Sequence, residues 1–471
     1  MTPQTTRTDA DTTDADTTDG TPAAGTPSAA TTSRRVGIAT VANLMPLFAS
    51  LVTAPILARA LGVDGRGMLA AATAPLLLAT AALTLGMPEA VTYFVAKRIR
   101  RGRTLLIGVV AVSIIGPIGS VAIWFASPAL APGHPSVQHL IGIVGLFLTP
   151  SLLALIFRGY ARAVQAWSLI AVEQAVSSAV RVLALLALLF SDALTVQTAA
   201  IITAVGTFIG AVVYLVFLRH TWDDATPAGE IMGARAHASA MSRFSLGTWV
   251  GSAAGIVLAR LDQVLFLPLS DARQLGIYAV AVSLADMVRT FNNAVRDVVF
   301  STQSGHVDDA SLYLASRVST VVTIGVGCAA VVVSLVAVPL VFGSAFAAST
   351  SVLAVILVGT MIGNPGSIAA AGISARGKPI LRSLAIATSV VLNIVLVFAL
   401  VPRMGAMGAA IASSVANGLC GLFVVYLAHR VFGLAPSGFL RLRVSDAALV
   451  VEQLRAVLRR FTPRPGKEQR S

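Results

Sequence analysis

Twelve apolar stretches run almost without pause from Ile38 to Val431, each long enough to cross a bilayer. A helix needs about 20 apolar residues to span ~30 Å of hydrocarbon. A soluble fold cannot use twelve such stretches in succession. The expected fold class is therefore an all-α integral membrane protein with about 12 transmembrane helices. The spans read as 38–58, 68–96, 104–126, 139–157, 165–190, 194–218, 244–269, 275–299, 315–341, 346–373, 380–401 and 405–430.

Charge placement tests this count. Charged residues make up 12% of the chain, about half the fraction of a soluble domain. The net charge of +13 sits in the connections between spans rather than on one face, which argues against a nucleic-acid partner. Arg34 and Arg35 precede span 1, and Lys97 to Arg103 follow span 2. Arg158 and Arg162 follow span 4, and Arg219, Arg235 and Arg243 follow span 6. Arg296 and Arg317 flank the 8–9 connection; Arg376, Lys378 and Arg382 flank the 10–11 connection. The alternate connections are poor in charge. The positive-inside rule then predicts a multi-pass protein of the cell (cytoplasmic) membrane with both termini in the cytoplasm.

Residues 1–35 are rich in Thr, Asp, Ala, Pro and Gly and read as a disordered cytoplasmic tail. The longest inner connection, 220–243, divides the spans into an N-terminal six-helix lobe, 36–219, and a C-terminal one, 244–432. Six spans return the chain to its starting side, so the halves would share one topology about a pseudo-twofold along the membrane normal. Weak self-similarity supports the division. Gly65-Arg-Gly67-Met-Leu-Ala enters span 2 as Gln274-Leu-Gly276-Ile-Tyr278-Ala enters span 8. Phe157-Arg158-Gly159 and Ala375-Arg376-Gly377 end spans 4 and 10. Residues 433–471 form a basic cytoplasmic tail. Within it 445–461 reads either as an amphipathic helix on the inner leaflet or as a solvated tail.

Charged groups within spans are costly and usually face a cavity or a partner. Glu89 follows Gly86-Met87-Pro88 in span 2. Span 5 carries Glu173, Ser177 and Arg181 on one helical face. Span 7 carries Arg260 and Asp262; span 8 carries Asp286, Arg289, Asn293 and Arg296. Asn393 and Asn417 are isolated polar groups in spans 11 and 12. One reading is a net cationic cavity between the halves, with Arg181, Arg260, Arg289 and Arg296 facing an anionic substrate such as a diphosphate. The acids Glu89, Glu173, Asp262 and Asp286 would then bind a coupling ion or neutralise neighbouring arginines. The other reading is internal ion pairing that fixes helix packing, such as Glu173 with Arg181, and snorkelling of Arg289 and Arg296 to the inner interface.

No HExxH, Walker or GxSxG motif occurs, and the two cysteines, Cys328 and Cys420, fall inside apolar spans. No metal, cofactor or enzymatic chemistry is expected.

Short motifs in a fixed order carry a family resemblance. They are Ala60-Leu-Gly62 through Gly67, Leu85-Gly-Met-Pro-Glu89-Ala, and Leu258-Ala-Arg260-Leu-Asp262-Gln263 with Leu275-Gly276-Ile-Tyr278. Gly377-Lys-Pro379, Leu392-Asn393-Ile and Val401-Pro-Arg-Met-Gly405-Ala-Met-Gly408 complete the series. Across 36–430 the chain resembles the polysaccharide flippases of the multidrug/oligosaccharidyl-lipid/polysaccharide (MOP) superfamily. The resemblance implies a MATE-like fold of two six-helix lobes working by alternating access. It implies translocation of an undecaprenyl-diphosphate-linked oligosaccharide across the cytoplasmic membrane, driven by an ion gradient or potential. Implied partners are the lipid-linked glycan, membrane lipids, and glycan polymerases and glycosyltransferases, with the protein itself a monomer. Lipid II flippases usually have fourteen spans, and multidrug/cation antiporters carry an acid in span 1, where 38–58 has none. A glycan polymerase or glycosyltransferase, or a non-transporting scaffold of this fold, are the remaining alternatives.

Overall fold

The computed structural model describes residues 29–97, 99, 101–218, 234–305, 308–441, 443 and 446. The first half contains α1 (Ala29–Ala82), α2 (Met87–Ala96), α3 (Arg101–Leu130), α4 (Pro135–Gly145), α5 (Leu148–Ala163), α6 (Trp167–Phe190), α7 (Val196–Val205) and α8 (Val212–Leu218). The second contains α9 (Ala234–Leu269), α10 (Ala272–Gly305), α11 (Asp309–Ala337), α12 (Ser349–Ala375), α13 (Pro379–Phe432) and α14 (Pro436–Leu440).

The protein is an all-α, multi-pass membrane protein. Among the described residues, eight helical segments are long and apolar enough to cross a bilayer. They do not reproduce the twelve separate spans expected. Spans 1 and 2 lie on α1 and are joined through a kink at Gly62 (φ 69°). Spans 11 and 12 are joined in α13 through Gly405 (φ 53°). Glycine adopts this left-handed geometry without a Cβ clash, so the chain bends sharply while hydrogen bonding resumes on either side. The three prolines inside α1 leave no such break. Spans 7 and 8 fall on the charged helices α9 and α10, which are not among the eight. Other spans are interrupted: α1 gives way to α2 at Leu85 and Gly86, both with positive φ, and α4 to α5 at residues 146–147.

Two boundaries also move. Residues 29–35, read as tail, are helical, because α1 begins at Ala29. Residues 234–243, read as linker, form the start of α9. The disordered-tail reading otherwise falls on 1–28 and the linker reading on 219–233, outside the described residues. The expected amphipathic helix at 445–461 also lies outside them, apart from Asp446. That carboxylate is buried and accepts from Arg317 Nε at 3.0 Å, while Phe439 of α14 packs edge-on against Tyr313. The chain after α13 thus docks on the start of α11.

Helices attract one another in lipid through close contact rather than through exclusion of water. The core follows that rule. α12 packs along α13, α10 and α11; α9 packs along α13; α1 packs along α6 and α10. Exposed Ile114, Ile118, Val121 and Phe125 mark an outward apolar face of α3 suited to acyl chains. The α1–α10 contact is reciprocal. A Cβ on Gly67 would overlap the carbonyl oxygen of Ala272, and one on Gly276 would overlap the carbonyl oxygen of Val63. The same sequence shift that superposes the motifs at Gly67 and Gly276 also relates Val63 to Ala272. This is the signature of contact across a twofold, where residue i meets j′ and j meets i′.

Three further bonds close this end of the bundle. Arg59 donates from Nε to the Val341 carbonyl at 2.8 Å and from its guanidinium terminus to that of Leu340. Both carbonyls lie in the π-helical turn Val338–Phe342 that ends α11. Ala406, beside the Gly405 kink, donates its N–H to Gln274 Oε1 at 3.1 Å.

Replacing Gly67 by Ala would force the α1 and α10 backbones apart, and overpacking of this kind costs about 1–3 kcal/mol. Thermal melting in detergent should show Gly67→Ala clearly destabilised. Gly325→Ala, with open space around it, should melt as the wild type does. Equal melting of both variants would contradict the contact.

Candidate functional site

A cavity of about 810 Å³ opens among α9, α10, α12 and α13. Among the described residues its wall runs from Gly247 to Val424, so this cavity lies within the second half of the chain, not between the halves as expected. Both arms of α13, on either side of the Gly405 kink, contribute to it, from Pro379 to Ile386 and from Asn417 to Val424. Small residues on the facing helices make one wall thin. Cβ atoms on Gly359 and Gly366 of α12 would overlap Ser414 and Gly421 of α13.

The polar lining is one-sided. Arg289 and Arg296 of α10 and Arg382 of α13 contribute three guanidiniums, joined by Asn292, Asn293, Asn364 and Asn417. Among the described residues, no Asp or Glu lines it. The spacing of Arg289, Asn292, Asn293 and Arg296 at three and four residues puts them on one face of α10, as helical periodicity requires.

The acids are engaged elsewhere. Asp286 accepts from Arg260 Nη2 at 2.8 Å and from Arg289 Nη1 at 3.4 Å. One carboxylate is shared by two guanidiniums, which leaves this group a net positive charge. Asp262 is buried; it accepts the phenol hydrogen of Tyr278 and the N–H of Gln263, the latter at 2.8 Å. The Tyr278 ring stacks on Phe266 at 5.6 Å. Glu173 is buried and held by Arg158 through two bonds, from Nε at 3.1 Å and Nη2 at 2.8 Å. The Tyr214 hydroxyl donates to the same carboxylate at 3.3 Å.

Of the sequence-derived candidates, Arg289, Arg296 and Asn417 reach the cavity wall. Arg181, Arg260, Glu89, Glu173, Asp262, Asp286 and Asn393 are not in that wall. The polar face of α6 is real, but its members turn to packing partners. Glu173 meets Arg158 rather than Arg181, Ser177 accepts the Gly210 N–H at 3.1 Å, and Arg181 lies beside Gly206. Glu89 is exposed on the first turn of α2. Asn393 is buried, and neither of its amide atoms has a hydrogen-bond partner. Asn417 donates to the Ser413 carbonyl at 2.7 Å.

Sequence reasoning missed Asn292, which lies beside Asn293 on the same face of α10, and two further polar wall residues. Arg382 reads as a loop charge, yet it stands one turn inside α13. Asn364 was hidden in the small-residue run Gly363-Asn364-Pro365-Gly366. An amide beside an intrahelical proline was the available signal. Among the described residues, no cluster of His, Cys, Asp and Glu could hold a metal ion.

A family model described as "Polysaccharide biosynthesis protein" matches residues 33–300. An inward-facing multidrug resistance MATE transporter of the MOP superfamily superposes with a TM-score of 0.67 at 13% identity, over 84% of this chain and 98% of that one. The lipid II flippase MurJ, in an inward closed conformation, superposes with a TM-score of 0.67 at 14% identity, over 92% of this chain and 94% of that one. An outward-facing MATE transporter gives 0.59 at 13% identity, over 85% and 95%. These likenesses establish the fold. Among curated proteins, none matches the chain significantly.

Removing one partner of a buried ion pair strands the other, at a cost of about 3–5 kcal/mol. Glu173→Ala should therefore lower the melting temperature of the purified protein strongly. Arg181→Ala should change it far less, because Arg158, not Arg181, depends on Glu173. Comparable losses in the two variants would refute this pairing.

Proposed function

The chain belongs to the polysaccharide biosynthesis protein family, and from that premise we propose that it is a flippase for undecaprenyl-diphosphate-linked oligosaccharides. It would carry them across the cytoplasmic membrane by alternating access. The observation that carries the reading is the cavity with three arginines in its wall and, among the described residues, no carboxylate there. Guanidinium groups offer only hydrogen-bond donors, in a fork that fits phosphate oxygens. Among the described residues a cationic drug would find no counter-charge in that wall, which weighs against a cation antiporter.

In this reading the chain makes twelve passes, with Gly62 and Gly405 as sharp turns between passes, and both termini are cytoplasmic. The lobes 36–219 and 244–432 meet at the Gly67–Gly276 contact. The Arg59 and Gln274 bonds keep the outer end closed, while the cavity reaches the arginine-rich inner end, where a substrate made in the cytoplasm would enter. The diphosphate sits against Arg289, Arg296 and Arg382. Asp262, held by Tyr278, is a site for a coupling proton or cation. No enzymatic step is involved. Glycosyltransferases would supply the substrate and a glycan polymerase would take it up, with the protein acting as a monomer.

The test is leaflet translocation of a fluorescent undecaprenyl-diphosphate oligosaccharide in proteoliposomes. Losing one charge-assisted contact to phosphate should slow transport by roughly tenfold or more. Arg296→Gln and Arg382→Gln should show that loss in folded protein, and Arg181→Gln should not. Wild-type protein that moves no such lipid under an imposed potential or proton gradient would refute the proposal.

A further inference from the structure

Among the described residues that line the cavity, one buried hydrogen-bond acceptor has no partner. Asn364 lies on α12 beside Pro365, is 1% exposed and lines the cavity. Its Nδ2 donates to Ser319 Oγ at 3.2 Å and to Thr320 Oγ1 at 3.0 Å. The hydrogens of both hydroxyls are already committed. Ser319 Oγ donates to Asn292 Oδ1 at 3.2 Å, and Thr320 Oγ1 donates to the Ser316 carbonyl at 2.7 Å. A hydroxyl has one hydrogen, so each can only accept from Asn364. The group facing them must be the NH2. This network fixes an amide orientation that shape alone leaves ambiguous. It also turns Oδ1 away from α11, where it has no partner among the described residues. A buried unpaired acceptor is costly, and in native proteins it calls for an explanation.

The chemistry of the missing partner follows. Phosphate oxygens satisfy Arg289, Arg296 and Arg382 but would repel an amide oxygen. A metal cation could satisfy the amide oxygen, but three guanidiniums and, among the described residues, no carboxylate make the cavity hostile to it. What remains is a neutral donor, a hydroxyl or an amide N–H, close to an anion. A sugar joined to a diphosphate presents both groups in one molecule. We propose that Asn364 is a specificity-determining residue that accepts a hydrogen bond from the sugar attached directly to the diphosphate. Ser319, Thr320 and Asn292 act as its positioning residues. This rests on the flippase reading and adds to it. The arginines hold the part common to all such lipids, and Asn364 reads the first sugar.

The test measures equilibrium binding to the full-length protein in nanodiscs. The probes are bare undecaprenyl diphosphate and its glucosyl, galactosyl and N-acetylglucosaminyl forms. Wild-type protein should bind at least one glycosylated form about tenfold more tightly than the bare lipid. Asn364→Leu should abolish that gain, bringing the ratio of glycosylated to bare affinity to about one. If Asn364→Leu does not yield folded protein, the Ser319→Ala/Thr320→Val double variant carries the same test, because it frees the amide to turn and should shrink the gain. A wild type that gains less than threefold from every sugar overturns the proposal and leaves the flippase reading standing. A gain that survives in either folded variant also overturns it. A wild type that binds neither bare nor glycosylated lipid defeats the flippase reading itself, and this proposal with it.

Discussion

Two glycines hold the halves of this bundle in backbone contact. At Gly67 and Gly276 there is no room for a side chain, so α1 and α10 approach as closely as helices can. In lipid this matters more than in water, because apolar surface gains little from leaving acyl chains and association depends on close packing. The reciprocal geometry, with Gly67 on Ala272 and Gly276 on Val63, makes one patch serve both helices.

Electrostatics divides the intramembrane charges into two sets. Glu173 with Arg158, and Asp286 with Arg260 and Arg289, are balanced or nearly balanced groups that join helices. The arginines of the cavity wall share that wall with no acid among the described residues. The first set keeps buried charges paired, as a low-dielectric medium requires. The second concentrates positive potential where a substrate can approach. Arg289 belongs to both, since it shares Asp286 while facing the cavity. Its charge is therefore partly neutralised before any ligand arrives.

Much of this was legible in the sequence. Apolar stretches gave the fold class, and the helical stripe on span 8 gave Arg289, Asn293 and Arg296 of the cavity wall. The motif pair at Gly67 and Gly276 was legible as self-similarity, but not the contact between them. Other features could not be read. The form of the turns at Gly62 and Gly405 is one, because a kink within a continuous helix and a loop between two helices look alike in hydropathy. The partner of Glu173 was misassigned because Arg158 is distant along the helical repeat and close only after α5 folds back on α6. Asn364 drew no attention because its meaning depends on Ser319, Thr320 and Asn292, which come from two other helices.

The most direct test of the account is a structure of the protein with undecaprenyl diphosphate in nanodiscs. The account predicts density for the diphosphate between Arg289, Arg296 and Arg382, inside the cavity of α9, α10, α12 and α13. Density at the α1–α10 interface, or beside Arg181 on α6, would contradict it.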